Sequence, residues 1–172
     1  CEAMTLTMPP EWEKHQRTFI AFPHTGYTLG NTQAEQNAAR QAWASVANAA
    51  SEYEKVTAIV HPDDERLAAK FLSSEIEVMI EKIDDAWIRD SGPTFVKDQA
   101  GKLAAIDWIF NGWGAQDWAE YSHDEMIASK IAARYGVELI KSDLVNEGGG
   151  IHVNGKGQVL LTETVQLDPG RN

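Results

Sequence analysis

Apolar positions along the chain follow two periods. The runs RTFIAF (17–22), KVTAIV (55–60) and IEVMI (76–80) are continuous and rich in β-branched residues, which predicts buried strands. Between the first two, NTQAEQNAARQAWASVANAASEY has a helical period. Thr32 and Glu35 stand at capping-box spacing, and Ala38, Ala42, Trp43, Val46 and Ala50 form the apolar stripe of a helix over about 33–53. Pro62 followed by DDERLAAKFL marks a second helix start, with acidic residues in its first turn.

Further on, TFVKDQAGKLAAIDW predicts a hairpin turning near Ala100-Gly101. SHDEMIASKIAARYG predicts a helix with Ser122 and Glu125 as its capping box and Gly136 as its C-cap, and VELI is the strand after it. IHV and QVLLTE flank NGKG as a last hairpin, with Asn154-Gly155 the preferred pair for a type I′ turn. The order is β-α-β-α-β, then β-β-α-β, then β-β, which is an α/β chain with a ββαβ unit over 94–140. The last hairpin reads as a sheet edge with no closing element behind it, and such edges are normally covered. The chain therefore reads as part of a longer one.

Composition narrows the function classes. Of 172 residues 43 % are apolar, enough for a core. A net charge of −11 without a basic run disfavours a nucleic-acid partner and favours cationic ligands. No apolar run approaches the roughly 20 residues of a membrane span. The single cysteine, Cys1, rules out an internal disulfide and makes the cytoplasm the default setting. Residues 1–7 read as a tag or flexible tail, and 8–172 as one domain.

Three loops carry candidate chemistry. In DDAWIRDSGP (84–93), Asp90 beside Trp87 suits a planar cation, since a carboxylate takes two N–H bonds while an indole covers a π-face. An Arg89–Asp90 surface pair with Trp87 in the core is the plainer reading. In DWIFNGWGAQDW (107–118), Trp108, Trp113 and Trp118 form either a pocket wall or an aromatic cover for a sheet end. In NEGGGIHVNGKG (146–157), Gly148 to Gly150 permit positive φ and close backbone approach. Strand alternation turns His152 and Asn154 the same way, toward either a ligand or solvent. Metal binding reads poorly: His24, His61, His123 and His152 are scattered and no thiolate lies near them. No cofactor motif is present.

Taken together and in this order, MPPEWEKHQRTFIAFP, DDAWIRDSGPTFV, FNGWG and NEGGGIHVNGKGQVLLTETVQLDPGRN resemble the agmatine deiminase and bacterial-type peptidylarginine deiminase family over almost the whole chain from Met8. The resemblance implies ββαβ modules around a pseudo-fivefold axis, an α/β propeller of the pentein type, of which this chain would be the N-terminal part. It implies hydrolysis of a guanidinium to a ureido group and ammonia. For agmatine the product is N-carbamoylputrescine, on a route to putrescine. A cysteine thiolate attacks the central carbon, and a histidine protonates the ammonia and then activates water. On this chain the resemblance makes Asp90 the guanidinium-binding carboxylate, His152 the general acid/base and Glu147 its acidic partner. Trp87 and Trp113 become pocket walls, and Asn154 contacts substrate. The expected partner is a small cationic guanidine.

Two departures stand out. His152-Val153-Asn154 replaces the family's usual His-x-Asp, which loses a charge. Nothing here matches the family's nucleophilic cysteine, so the 172 residues alone should not turn over. The competing readings are a non-catalytic guanidine-binding or assembly module that pairs with itself or with a second half, and an amidohydrolase using Cys1.

Overall fold

The computed structural model describes residues 5–172, so the readings that rest on Cys1 lie outside the described residues. Two compact units divide the chain. The first comprises Lys14–Ile88 and Trp118–Asp124; the second comprises residues 5–13, Arg89–Asp117 and Glu125–Asn172.

In the first unit, β1 (Thr18–Ala21), β2 (Val56–Val60) and β3 (Glu77–Ile80) form a parallel sheet in the order β1-β2-β3. All five residues of β2 are buried, as a central parallel strand requires. Phe22, Ala47, Val56, Ala58, Val60, Ala68 and Ile76 make the core, and a side chain such as Phe22 contributes about 1.5–3 kcal/mol by leaving water. Helix α1 (Gln33–Ser51) carries the expected capping box between Thr32 and Glu35. A 3-10 turn (Pro62–Asp64) leads into α2 (Glu65–Ala68).

The buried face of α1 differs from the expected stripe. Arg40, Ala44 and Ala47 are buried; of the expected stripe, Trp43 and Ala50 are half-buried, while Ala38, Ala42 and Val46 are exposed, Val46 at 65 %. A polar residue broke the true stripe in the sequence. Arg40 can be buried because its Nε donates to Pro23 O at 3.3 Å and its Nη2 lies 3.8 Å from Asp64 Oδ2.

One-turn α3 (Ile88–Ser91) spans the boundary between the units. The second unit holds β4 (Thr94–Lys97), β5 (Leu103–Ile109), α4 (Ile127–Tyr135) and β6 (Glu138–Val145). β4 and β5 pair antiparallel and β5 and β6 pair parallel, so the ββαβ unit forms as expected. Gly136 ends α4 in the left-handed conformation (φ 62°). β7 (Ile151–Val153) and β8 (Val159–Leu161) make the last hairpin. A short helix, α5 (Glu163–Gln166), follows it in the chain with Val165 buried, while all three residues of β8 stay exposed.

The Ser122–Glu125 box does not form, and α4 begins at Ile127 with no side-chain cap. Asp124 takes over this corner. It is 2 % exposed and accepts N–H bonds from Asp84 (2.8 Å) and Asp85 (3.0 Å). Burial pushes its carboxyl up to about 7, against the pull of those two bonds. Between the ordinary aspartate value near 4 and pH 7, the folded chain holds a proton that the unfolded chain has released. Stability from this group is therefore complete below about pH 4 and is lost as pH rises through 7. Urea unfolding is expected to show this fall, and the Asp124→Asn chain should lack that component of the slope.

Candidate functional site

Each of the three motif loops contributes to one cluster around a carboxylate. In the second unit, Asp90 of α3 receives one bond on each carboxylate oxygen. Gly149 N–H donates to Oδ1 at 3.0 Å, and the Trp113 indole Nε1–H donates to Oδ2 at 3.0 Å. Asp90, Trp113 and the glycine triplet thus come together from 23 and 59 positions apart. Asp90 does not pair with Arg89, whose guanidinium binds Glu11 at 2.6 Å.

Close approach, and not positive φ, explains the triplet. None of Gly148, Gly149 and Gly150 has positive φ. A Cβ on Gly148 would lie 2.2 Å from the Arg89 carbonyl oxygen, and one on Gly149 would lie 2.5 Å from Asp90 Oδ1. Any side chain would push the loop off Asp90.

Trp113 is held in an unusual backbone. Gly112, Trp113, Gly114 and Ala115 have φ of 65°, 60°, 92° and 55°, a left-handed turn that costs a non-glycine residue about 1–2 kcal/mol. Asn111 fastens it: its Oδ1 accepts Gly114 N–H at 2.9 Å and its backbone O accepts Ala115 N–H at 2.8 Å. Phe110 stands edge-on to the Trp113 ring at 5.1 Å. Strain of this kind persists where surrounding contacts enforce it, and it concentrates at functional sites.

Glu147 is 3 % exposed. Its Oε1 accepts Arg171 Nε–H at 2.7 Å, and Arg171 Nη1 lies 3.3 Å from Asp168 Oδ2. The sequence reading assigned nothing to Arg171. A buried glutamate demands a cation, and DPGRN supplied one in a turn-rich stretch, which was the available signal. No hydrogen bond joins Glu147 to His152 among the described residues.

His152 is exposed on β7, its ring 6.3 Å from Trp12 at 56°. His152, Val153, Asn154, Gln158, Val159 and Leu160 line a hollow of about 370 Å³, and Asp90 is not in its wall. Asn154 closes the hairpin loop: its Oδ1 accepts N–H bonds from Lys156 (2.8 Å) and Gln158 (3.2 Å). Since Val153 pairs with Val159, five residues join β7 and β8, and the two-residue Asn154-Gly155 turn does not form. The Asn side chain stabilises a wider loop by bonding its own backbone.

The remaining tryptophans serve separately. Trp108 donates to Thr94 Oγ1 at 2.8 Å in the second unit. In the first unit Trp118 packs on Tyr27, and Trp87, 40 % exposed, meets Trp43 edge-on at 5.8 Å.

His24 and His61, apart in sequence, stack at 3.6 Å in the first unit, and Asp63 offers a ligand atom within 4.8 Å of theirs. The ring planes are 4° from parallel, so their in-plane lone pairs do not converge on one cation. His24 Nδ1 instead bonds Asp64 Oδ2 at 2.8 Å. Burial, then the facing His24, pushes the His61 imidazole below its usual value. No helix among the described residues is long and apolar enough to cross a membrane.

A family model described as Porphyromonas-type peptidyl-arginine deiminase matches residues 7–172. A Streptomyces coelicolor protein, named provisionally as an agmatine deiminase, is 52 % identical over 170 residues, covering 98 % of this chain and 50 % of its own. A Mycoplasma capricolum protein with the same provisional name is 36 % identical over 168 residues, covering 96 % and 45 %. The solved agmatine deiminase of Enterococcus faecalis superposes with a TM-score of 0.90 at 31 % identity, covering 97 % of this chain and 46 % of that one. A C. jejuni agmatine deiminase with substrate bound gives 0.84 at 26 %, covering 100 % and 50 %. This chain has the mixed α/β fold of those structures and spans about half the length of the curated relatives it matches.

Proposed function

The chain belongs to the Porphyromonas-type peptidyl-arginine deiminase family, and from that premise we propose that it is the N-terminal part of a guanidine hydrolase acting on agmatine. The reaction adds water to the guanidinium, giving N-carbamoylputrescine and ammonia on a route to putrescine. The ββαβ unit of the second unit supports its place in a pseudo-fivefold α/β propeller, with 8–172 contributing the N-terminal modules.

The observation that carries the proposal is the Asp90 carboxylate. Each of its oxygens already accepts one N–H bond, from Gly149 or Trp113. Each oxygen can accept a further N–H bond. A guanidinium presents two parallel N–H bonds to match, and charge-assisted pairs of this kind are about twice as strong as neutral ones. The net charge of −11 draws a small cation toward the site.

The chemistry then follows from the electrophile. A guanidinium is delocalised and resists attack until its plane is fixed. A thiolate from outside this chain adds to the central carbon, ammonia leaves with a proton, and water hydrolyses the thiouronium to return the thiolate. Glu147 supplies buried negative charge beside the Asp90 loop. His152 takes the acid/base role on resemblance alone, since no hydrogen bond orients it. Trp113 and Asn154 remain the proposed substrate contacts, in the cytoplasm and without a cofactor.

The 172-residue chain is expected to release no ammonia from agmatine in a coupled assay, yet to bind it. Asp90→Asn should weaken that binding about tenfold by calorimetry. Ammonia release abolished by His152→Ala would contradict the external thiol, and equal affinity of native and Asp90→Asn chains would remove the guanidinium carboxylate.

A further inference from the structure

The proposed reaction leaves Arg171 without a task, although it is largely buried and binds several groups of the second unit. Its side chain is 10 % exposed. Nε donates to Glu147 Oε1 at 2.7 Å, and Nη1 reaches Asp168 Oδ2 at 3.3 Å and Thr164 O at 3.5 Å. A Cβ on Gly114 would meet Nη1 at 3.0 Å, so the guanidinium packs directly against the left-handed turn that bears Trp113. Asn111 ties the same turn to the residue before Arg171 through a 2.9 Å bond to Gly170 O.

On its other side Arg171 holds Glu147, whose backbone continues straight into Gly148 and Gly149. Each N–H on the Asp90 carboxylate is therefore one step from Arg171: the indole through Gly114, and the Gly149 amide through Glu147. The planar, multidentate arginine head reaches two carboxylates and a carbonyl at once, which the point charge of a lysine does not.

We infer that Arg171 is a positioning residue for Asp90: by fixing Glu147 and the Trp113 turn together, it aims the two N–H groups at the two Asp90 oxygens and sets the direction in which their open lone pairs point. That this direction serves a guanidinium rests on the proposed function; the positioning itself does not. A residue that merely stapled the end of the chain would act differently. Asn172 is such a staple, its side chain bonding Val145 N and Val145 O at 3.0 Å each, and it provides the control.

The experiment reads the Trp113 indole N–H in the ¹H–¹⁵N spectrum of the chain, identified among six tryptophans by its loss in Trp113→Phe. Arg171→Gln is expected to move that signal toward a free indole and to speed its hydrogen exchange about tenfold, the loss of one bond to a charged acceptor. Arg171→Lys should restore only part of this. Asn172→Ala should lower Tm and leave the Trp113 signal in place. An unmoved indole in folded Arg171→Gln, or an equal shift in Asn172→Ala, overturns the inference. If Arg171→Gln does not fold, Asp168→Asn, which weakens the Nη1 pair while its amide oxygen can still accept Gly170 N–H, is read with the same two outcomes. Agmatine added to the native chain tests the other question: a silent Trp113 indole would count against the guanidine site while leaving the positioning role standing.

Discussion

Gly148→Ala destabilises the second unit by about 3 kcal/mol, the upper range for overpacking a site that cannot give way. The new methyl carbon would stand 2.2 Å from the Arg89 carbonyl oxygen, and backbone on backbone leaves no rotamer to move aside. Relief requires parting the Gly148–Gly149 segment from α3, which also removes the Gly149 bond to Asp90. Gly157→Ala isolates the geometric cause. Gly157 has φ 86° and nothing within 4 Å of its Cβ position, so that substitution carries only left-handed strain of about 1 kcal/mol. Urea unfolding of the two chains measures the difference. Equal midpoints would mean that the loop does not sit against α3.

Arg171→Met is expected to cost about 3–5 kcal/mol, because it leaves the Glu147 carboxylate buried without its cation. The double substitution with Glu147→Gln should recover a substantial part, since a neutral amide suffers less from burial. A double-mutant cycle on chemical unfolding gives the coupling. Additive losses would show that the two side chains act independently, against the 2.7 Å contact. The magnitude exceeds that of exposed pairs such as Lys102–Glu138, whose attraction solvent largely screens.

Local signals in the sequence proved reliable where a few adjacent residues decide the outcome. The Thr32–Glu35 box caps α1, Gly136 takes the left-handed cap of α4, and β2 is buried along its whole length. Signals that compete with a distant partner failed. Ser122 and Glu125 have box spacing, yet the corner belongs to Asp124, which bonds backbone amides 39 and 40 residues away. Alanine-rich α1 carries one stripe that reads as apolar and another interrupted by Arg40. The one that looked polar is buried, because Pro23 and Asp64 satisfy Arg40.

The candidate site divides along the same line. DDAWIRDSGP, FNGWG and NEGGG were visible as loops of unusual composition, and with them Asp90, Trp113 and Glu147. Which donor meets which oxygen was not visible. Neither was the departure of Trp87 and Trp118 to the first unit's own aromatic contacts, nor the stacking of His24 on His61. Arg171 was hidden for the same reason, since its partner is 24 residues away.

By itself the sequence determined the α/β order of elements, the strand and helix periods and the family resemblance, because these depend on neighbours a few positions apart. Only the tertiary structure decided that Gly148 and Gly149 lie against Arg89 and Asp90, that Trp113 holds a left-handed backbone to reach Asp90, and that Glu147 is buried on Arg171. Each of those is a contact between loops far apart in the chain, where sub-ångström fit and the cost of an unpaired buried charge select one arrangement that no local pattern encodes.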